Sequence, residues 1–394
     1  MNFIKYFKIA GVFALFFSFQ TSASVSDRKI ATTIKSEIGK ETVTRADSFI
    51  DALPVTVVAS SCPRSKGGIH DFYSEGDYWW PDPKNPDGPY IRRDGESNPD
   101  NFSDHRLAMI RLGDIVASLT SAYLITGNMK YAKAVERHIL DWFIKPGTKM
   151  NPSLNYAQAI KGVATGRGIG IIDTVHLIEV AQSLIRLNEK GAIDPTVFEG
   201  AKKWFAEYLD WMCTHPYGKK EMKAANNHGT CWALQAAAFA KLTDNDKILT
   251  FCREKYKNVF LPKQMAADGS FPLELARTKP YGYSLFNLDA MAGLCQILSS
   301  PTDNLWSYST EDGKSISKGV EFILPYIMDK DGWPFDRDVA HWDEWPVAQP
   351  TLIFFWAQTG NRKCIKQWKR LDHFPTGQEV VRNLPIRNPA IWLL

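Results

Sequence analysis

The chain has 394 residues, of which 44% are hydrophobic, 12% aromatic and 23% charged, and its formal net charge is +4 at pH 7. This composition is that of an ordinary globular protein and excludes extended disorder. The weak positive charge, without a basic stripe, excludes a typical nucleic-acid-binding protein. The six cysteines have no metal-ligand spacing. Four of them lie in apolar helical patterns, which favours free, buried thiols.

The N-terminus has the order of a secretory signal peptide. Lys5 and Lys8 precede an apolar run over residues 9–17, and small residues follow at 21–24. The run is too short to span a bilayer. We therefore expect a signal peptide over residues 1–23, with a non-cleaved anchor as the alternative. The mature protein is expected to be secreted, to the periplasm, and to contain no further membrane span.

The mature part, residues 24–394, is expected to form a single domain of helical hairpins. Residues 26–53 predict one helix, and residues 55–59 predict a short strand. Apolar residues at helical spacing then predict five helix pairs, over residues 106–125 and 129–143, 171–187 and 195–212, 228–242 and 246–260, 272–299 and 316–328, and 345–360 and 362–371. Stacked hairpins with long irregular loops on one side predict an all-α (α/α)n toroid, an incomplete barrel whose loops line a cleft, or an open solenoid.

The long irregular segment over residues 62–104 is a candidate binding loop. It is rich in Pro, Gly, Asp and Asn and contains Trp79 and Trp80. A loop of this length in a compact protein is usually functional or disordered, and its aromatic residues argue against disorder. Exposed Trp and Tyr near Arg and Asp suit sugar binding, since the C–H faces of pyranoses stack on aromatic rings. The alternative is a loop held to the body by its own Trp side chains.

Two later stretches contain the residues best suited to chemistry. Asn226, Asn227 and His228 precede an apolar helix, where paired Asn residues alone are often only N-caps. Arg277 and Tyr283 follow, and each alone has a structural explanation: an ion pair with the glutamate three residues earlier and a core aromatic. Together these residues supply an amide pair, an imidazole, a guanidinium and a phenol. This set can remove a proton next to a carboxylate and protonate a leaving oxygen.

The arrangement of these motifs resembles the alginate lyase superfamily of (α/α) toroid polysaccharide lyases, and within it polysaccharide lyase family 38, whose members cleave alginate or glucuronan. The motifs that carry the resemblance are Asn226-Asn227-His228, Pro272-Leu273-Glu274-Leu275-Ala276-Arg277, Tyr283, Asn155-Tyr156-Ala157-Gln158, Gly166-Arg167-Gly168, Trp342-Asp343-Glu344-Trp345-Pro346 and the Trp79-Trp80-Pro81 loop. They span most of the mature chain. The gap from Arg277 to Tyr283 is one residue shorter than in the archetypal members, so Tyr281 stays open as the alternative phenol.

The resemblance implies a lyase that cleaves a 1,4-linked uronate polymer by β-elimination, without a metal or other cofactor. Asn227, His228 and Arg277 would neutralise the uronate carboxylate, where preorganised donors act most strongly on developing charge. Tyr283 would be the acid, and also the base where the C5 hydrogen and O4 lie on the same side; His228 would be the base where they lie on opposite sides. A nearby cation is expected to lower the pKa of Tyr283. The expected substrate-binding residues are Trp79, Trp80, Asn155, Gln158, Arg167, Asn226, Tyr281 and Trp342.

Two other classes of protein compete with the lyase interpretation. A glycoside hydrolase on an α/α toroid would need two carboxylates, and the candidates form no distinctive pair: Glu75, Asp77, Glu274, Asp338 and Asp343. An inactive polyuronate-binding protein is the third possibility, and the complete set of acid, base and donor residues argues against it. In every case the expected partner is an anionic polysaccharide, and the expected state is a monomer or weak homodimer.

Overall fold

The computed structural model describes residues 24–394, so the expected signal peptide lies outside the described residues. Regular structure in this part of the chain is dominated by α-helices. The helices are α1 (Asp27–Phe49), α2 (Asp104–Thr126), α3 (Met129–Ile139), α4 (Leu177–Glu189), α5 (Pro195–Thr214), α6 (Pro216–Met222), α7 (Asn227–Leu242), α8 (Asp246–Lys255), α9 (Leu261–Gln264), α10 (Pro272–Leu275), α11 (Pro280–Leu298), α12 (Ile316–Met328), α13 (Pro350–Thr359), α14 (Arg362–Trp368), α15 (Gln378–Arg382) and α16 (Pro389–Leu393). The strands are β1 (Tyr73–Glu75), β2 (Trp79–Trp80), β3 (Ile91–Arg92) and β4 (Tyr156–Ala159).

The helices are arranged in an inner and an outer layer. Helices α2, α4, α7, α11 and α13 each pack against the next and form the inner layer. On the outside, α1 and α3 pack on α2, α5 packs on α4 and α7, α8 on α7, α12 on α11, and α14 on α13. Helix α16 contacts α1, α2 and α4. This arrangement is the all-α (α/α) toroid that the sequence predicts.

The sequence explains which helices lie inside. Every residue of α11 from Pro280 to Cys295 is buried, as expected for a helix that is apolar on all sides. Gly293 faces α7, where an added Cβ would lie 2.9 Å from Leu234, so glycine permits the close approach of the two helices. The outer helix α12 instead buries one stripe, formed by Ile316, Gly319, Val320, Ile323, Leu324 and Ile327. Its spacing is that of an amphipathic surface helix.

Most predicted helices are confirmed, and the differences are local. Helix α12 has the predicted bounds, and the segment 272–299 is interrupted before Pro280 as expected. The strand predicted at residues 55–59 is wrong: Val57–Ala59 form a 3-10 turn. A lone strand has no neighbour for its backbone hydrogen bonds, and here the amide of Ala59 bonds to the carbonyl of Thr56 instead, at 3.1 Å. All six cysteines are free, and four are buried.

Among residues 24–394, one helix has the length and composition of a membrane span, which the sequence analysis did not predict. Helix α2 is long and apolar enough to cross a membrane, but 72% of its apolar window is buried inside the protein. The 3-10 segment Gly168–Thr174 and α4 reach the same criterion only if they are taken together across a 47° bend. Burial on this scale is the state of a core helix, since its apolar residues already contact other parts of the protein.

The two long irregular segments are ordered by short strand pairings. Strand β1 pairs in parallel with β4, with Tyr73 opposite Tyr156. Strand β2 pairs antiparallel with β3, with Trp79 opposite Arg92. The first pairing joins the segment before α2 to the segment before α4, so both segments cover the end of the toroid at which these inner helices begin.

Candidate active site

A cavity of about 270 Å³ opens at this end of the toroid. The beginnings of four inner helices line it, through Arg106 of α2, His176 before α4, Asn227 of α7 and Tyr283 of α11. Helix N-termini present free N–H groups and partial positive charge. The guanidinium groups of the lining are those of Arg92, Arg106, Arg167, Arg277 and Arg382. The cavity therefore has the electrostatic character of an anion-binding site.

A buried glutamate holds Asn227 in place. Glu274 of α10 is only 1% exposed, and it accepts the backbone N–H of Asn227 at 2.7 Å and the Nδ2–H of the same residue at 2.6 Å. Burial raises the pKa of Glu274, and the two bonds from Asn227 oppose that rise. One N–H of the Asn227 amide stays free. Glu274 thus orients the amide at the wall of the cavity.

A second buried glutamate holds His228. Its Nδ1 lies 2.6 Å from Oε1 of Glu221, a residue 5% exposed. A partner at Nδ1 leaves Nε2 for a ligand. The next residue, Gly229, permits this turn, because an added Cβ would lie 2.1 Å from the carbonyl oxygen of Ala224. Local sequence and a buried carboxylate together fix the imidazole.

Arg277 contacts both an aspartate and the phenol. Its Nε and Nη2 donate to Asp94 at 3.2 and 3.0 Å. Its Cζ lies 4.5 Å from the centroid of the Tyr283 ring, and its Nη2 lies 3.4 Å from Tyr283 Oη. Asp94 also accepts from Arg92 at 2.6 Å. Arg277 therefore pairs with Asp94 from the long loop, and not with Glu274.

The phenol of Tyr283 is buried and shares a hydrogen bond with a second phenol. Its Oη lies 2.8 Å from Oη of Tyr78, to which Arg382 donates at 3.2 Å. Burial raises the pKa of Tyr283, and the opposing effect of Arg277 is smaller. The lowered pKa expected from the sequence is therefore wrong for the free protein, because removal from water outweighs the nearby cations. Tyr283 is a neutral phenol at neutral pH.

Two carboxylates of the cavity are occupied by ion pairs. Asp77 accepts from Arg106 at 2.9 Å and from Arg382 at 2.8 Å. Burial acts to raise the pKa of Asp77, but the two guanidinium groups outweigh it and hold that pKa below its usual value. Asp173 lies 3.7 Å from Nη1 of Arg106 and accepts from Gln158 at 2.9 Å. Asp77 and Asp173 thus anchor the loops, and neither carboxylate is available to act on a substrate, as glycoside hydrolysis requires.

Gln158, Arg167 and Trp79 form one wall of the cavity. Gln158 has a left-handed backbone, with φ of 52°, which for a residue other than glycine costs on the order of 1–3 kcal/mol. Its backbone carbonyl accepts from Arg167 Nε at 2.7 Å, and its backbone N–H donates to Ser74 Oγ at 2.8 Å. Arg167 lies 5.6 Å from the Trp79 ring. These contacts fix the wall before any ligand binds.

Of the sequence-predicted site residues, the structure brings Asn226, Asn227, His228, Arg277, Tyr283, Trp79, Gln158 and Arg167 to the cavity lining. The other four, Trp80, Asn155, Tyr281 and Trp342, lie outside it. Tyr281 is fully buried and packs against Trp333 and Trp342, with ring centroids 5.1 and 5.4 Å away. Trp80 donates its indole N–H to a backbone carbonyl. Asn155 accepts from the indole of a neighbouring Trp.

Sequence reasoning missed several residues of this site. Tyr78 and Arg382 have no local signal, since Tyr78 contacts Tyr283 across 205 residues and Arg382 contacts Tyr78 across 304 residues. Sequence reasoning suggests Glu274 only as a hydrolase carboxylate or as an ion-pair partner of Arg277, although a charged residue between two leucines is a hint of a buried partner. Among residues 24–394, no group of three or more His, Cys, Asp or Glu side chains is placed to hold a metal ion.

Comparison with solved structures identifies the fold. An alginate lyase from Bacteroides ovatus is 29% identical in sequence, with a TM-score of 0.78, over 95% of this chain and 99% of that chain. Two structures of alginate lyase A1-III with a tetrasaccharide have TM-scores of 0.54 and 0.57 at 14% identity. They cover 91% and 94% of this chain, and 96% and 95% of their own chains. At that identity they support the fold alone.

The family follows from the sequence itself. The family model described as alginate lyase matches residues 56–333, which is more than half of the chain. A search of curated proteins finds no match. The protein is a polysaccharide lyase on an (α/α) toroid. It belongs to the alginate lyase family.

Proposed function

We propose that this lyase cleaves a 1,4-linked uronate polymer, either alginate of the mannuronate type or glucuronan, by β-elimination. The observation that carries the proposal is the juxtaposition of a neutral, buried phenol with a guanidinium 3.4 Å away, in a cavity that Asn227 and His228 also line. Five guanidinium groups and four helix N-termini favour an anionic sugar.

Charge stabilisation is the first requirement of the reaction. Removal of the C5 proton places a second negative charge on the uronate carboxylate, so donors must bind more strongly in the transition state than in the ground state. The free N–H of Asn227 and the guanidinium of Arg277 supply these donors. Because Glu274 and Asp94 fix both groups in advance, little reorganisation opposes the reaction.

Proton transfer is the second requirement. The raised pKa of Tyr283 keeps its proton in place, which suits a general acid that protonates O4 of the leaving sugar. Nε2 of His228 is free to take the C5 proton where the C5 hydrogen and O4 lie on opposite faces of the sugar. Where the C5 hydrogen and O4 lie on the same face, Tyr283 first gives its own proton to solvent; the phenolate then takes the C5 proton and delivers it to O4. For this second route substrate binding has to assist loss of the phenol proton, which Arg277 favours.

We further propose that the protein is exported and acts on the polymer outside the cytoplasm. The charged, apolar and small-residue segments of residues 1–23 support export. A large anionic polysaccharide is the partner that the open cavity and its guanidinium groups support.

Ultraviolet absorbance tests the reaction directly, because β-elimination creates a conjugated double bond. The mature protein is incubated with poly-mannuronate, poly-guluronate and glucuronan in separate wells, with chelator present. We expect a rise in absorbance with poly-mannuronate or glucuronan. New reducing ends without a rise in absorbance would indicate hydrolysis, and the absence of both on all three polymers would contradict the proposal.

A further inference from the structure

We propose that an open groove beside the cavity binds uronate units of the polymer that extend beyond the cleavage site. The groove has a volume of about 650 Å³, more than twice the 270 Å³ of the cavity. It is lined by Arg64, Lys66, Tyr73, Glu75, Tyr217 and residues 159–166. The identity of the ligand rests on the proposed function, whereas the shape and charge of the groove do not.

The groove and the cavity share one wall. Gln158 and Arg167 line the cavity, and their neighbours in sequence, Ala159 and Gly166, line the groove. The segment between them forms a turn in which the amide of Ile160 bonds to the carbonyl of Ala164 at 2.8 Å. A polymer that leaves the cavity on this side therefore meets the groove next.

A buried carboxylate preorganises the guanidinium of the groove. Arg64 Nε and Nη2 donate to the two oxygens of Glu75, at 2.5 and 2.6 Å, while the Arg64 side chain stays 45% exposed. Glu75 also accepts from Tyr73 Oη at 2.9 Å and from the amide of Phe102 at 2.8 Å. The N–H groups of Arg64 that Glu75 does not use remain available to a ligand carboxylate. Because the guanidinium is already fixed, binding costs it little conformational entropy.

Two lysines add net positive charge to the groove. Lys66 and Lys161 are exposed, and neither forms an ion pair among residues 24–394. Lys161 Nζ lies 5.5 Å from the centroid of the Tyr90 ring. Since Arg64 and Glu75 neutralise each other, these two lysines give the groove its affinity for a polyanion.

An aromatic surface completes the groove. Tyr217 is half-buried, and the edge-to-face contact with His215, at 5.0 Å and 78°, holds its ring. Val163, 57% exposed, lies on the turn that forms the shared wall. Cations beside an amphipathic ring match the chemistry of a uronate, which presents a carboxylate and an apolar C–H face.

A chain-length experiment tests this assignment. The double variant Lys66→Gln/Lys161→Gln is compared with Lys203→Gln/Lys247→Gln, which removes the same charge from exposed positions of α5 and α8 outside both the cavity and the groove. We expect the groove variant to raise KM for the polymer about three- to tenfold with kcat nearly unchanged, as two exposed ion pairs imply. KM for a trisaccharide should not change. The difference should vanish at high salt, where exposed charges are screened.

The outcomes separate this inference from the proposed function. If the wild-type protein cleaves a polyuronate but the groove variant matches the control on the polymer, the groove assignment is wrong and the function stands. An equal loss on polymer and trisaccharide also overturns it, since the lysines would then act at the cavity. If the wild-type protein neither cleaves nor binds a polyuronate in affinity electrophoresis, both proposals fail.

Discussion

The hydroxyl oxygens of Tyr78 and Tyr283 lie 2.8 Å apart, although 205 residues separate the two in sequence. One phenol comes from the irregular segment that covers the toroid, and the other from the first turn of an inner helix. Arg382 contacts the first at 3.2 Å and Arg277 the second at 3.4 Å. The loop thus supplies a direct partner for the proposed acid.

This relationship predicts unequal effects for the two tyrosines. Tyr283→Phe should lower kcat by at least about 10²–10⁴-fold, the range of a general acid or base, and leave binding of the polymer nearly intact. Tyr78→Phe removes only a hydrogen-bond partner and should cost roughly tenfold. Absorbance assays give kcat, and calorimetry with the polymer gives Kd. Turnover near the wild-type rate in Tyr283→Phe would defeat the assignment of the acid.

Glu221 is predicted to act by positioning His228. Glu221→Gln should lower kcat about 10- to 100-fold with a small change in KM, because the imidazole loses its charged partner at 2.6 Å. Glu221→Asp should restore part of the activity. A purely structural role would instead lower the melting temperature and leave kcat of the folded protein unchanged.

Arg277 is predicted not to tolerate replacement by lysine. The guanidinium bonds to Asp94 through Nε and Nη2 while it lies over the Tyr283 ring, and an ammonium cannot reproduce that geometry. Arg277→Lys should lower kcat/KM about 10²–10³-fold, as for removal of one preorganised donor. The matched control is Arg337→Lys, at a position outside the cavity lining. Equal effects of the two substitutions would contradict a special role for Arg277.

Asp289 in α11 is predicted to make stability depend on pH. Burial raises its pKa to about 7, against hydrogen bonds from Thr351. The pKa of Asp289 is higher in the folded protein than in the unfolded chain, so its protonation stabilises the fold fully below about pH 4. This contribution to the free energy of unfolding is lost as the pH rises to about 7, and its total is roughly 3–5 kcal/mol. Asp289→Asn should remove most of the difference between the free energies of unfolding at pH 5 and pH 8, as measured by unfolding in urea. The exposed Asp246→Asn serves as control, and an unchanged difference in Asp289→Asn would refute the prediction.

The sequence predicts the helices well because the apolar residues that form one buried stripe lie only three or four positions apart. The bounds of α12 follow from apolar residues three and four apart, and α7 begins at the Asn pair that the sequence marks as its start. Such patterns define the toroid, since stacked helix pairs have few other ways to bury their apolar faces. They cannot reveal that α8 continues as a π-helical turn over Tyr256–Phe260.

The site is only partly predictable for a related reason. Tyr281 and Tyr283 are two residues apart in one helix, so they point to different sides, and no pattern tells which side faces the cavity. The structure directs Tyr283 to the cavity and Tyr281 to a cluster with Trp333. Three partners of the proposed catalytic groups, Asp94, Glu274 and Tyr78, lie 183, 47 and 205 positions from the residues that they contact. A single sequence contains no record of such pairings.

The ion pair between Asp77 and Arg382 joins residues that are 305 positions apart. During synthesis Arg382 is made long after α7 and α11 have been completed. Asp77 and the loop around it therefore lack one of their two guanidinium partners until α15 has left the ribosome. Contacts between such distant positions form late and slowly. The nascent enzyme should accordingly stay inactive until α15 has been made, and a stop codon just before α15 should abolish activity while leaving every proposed catalytic residue in place.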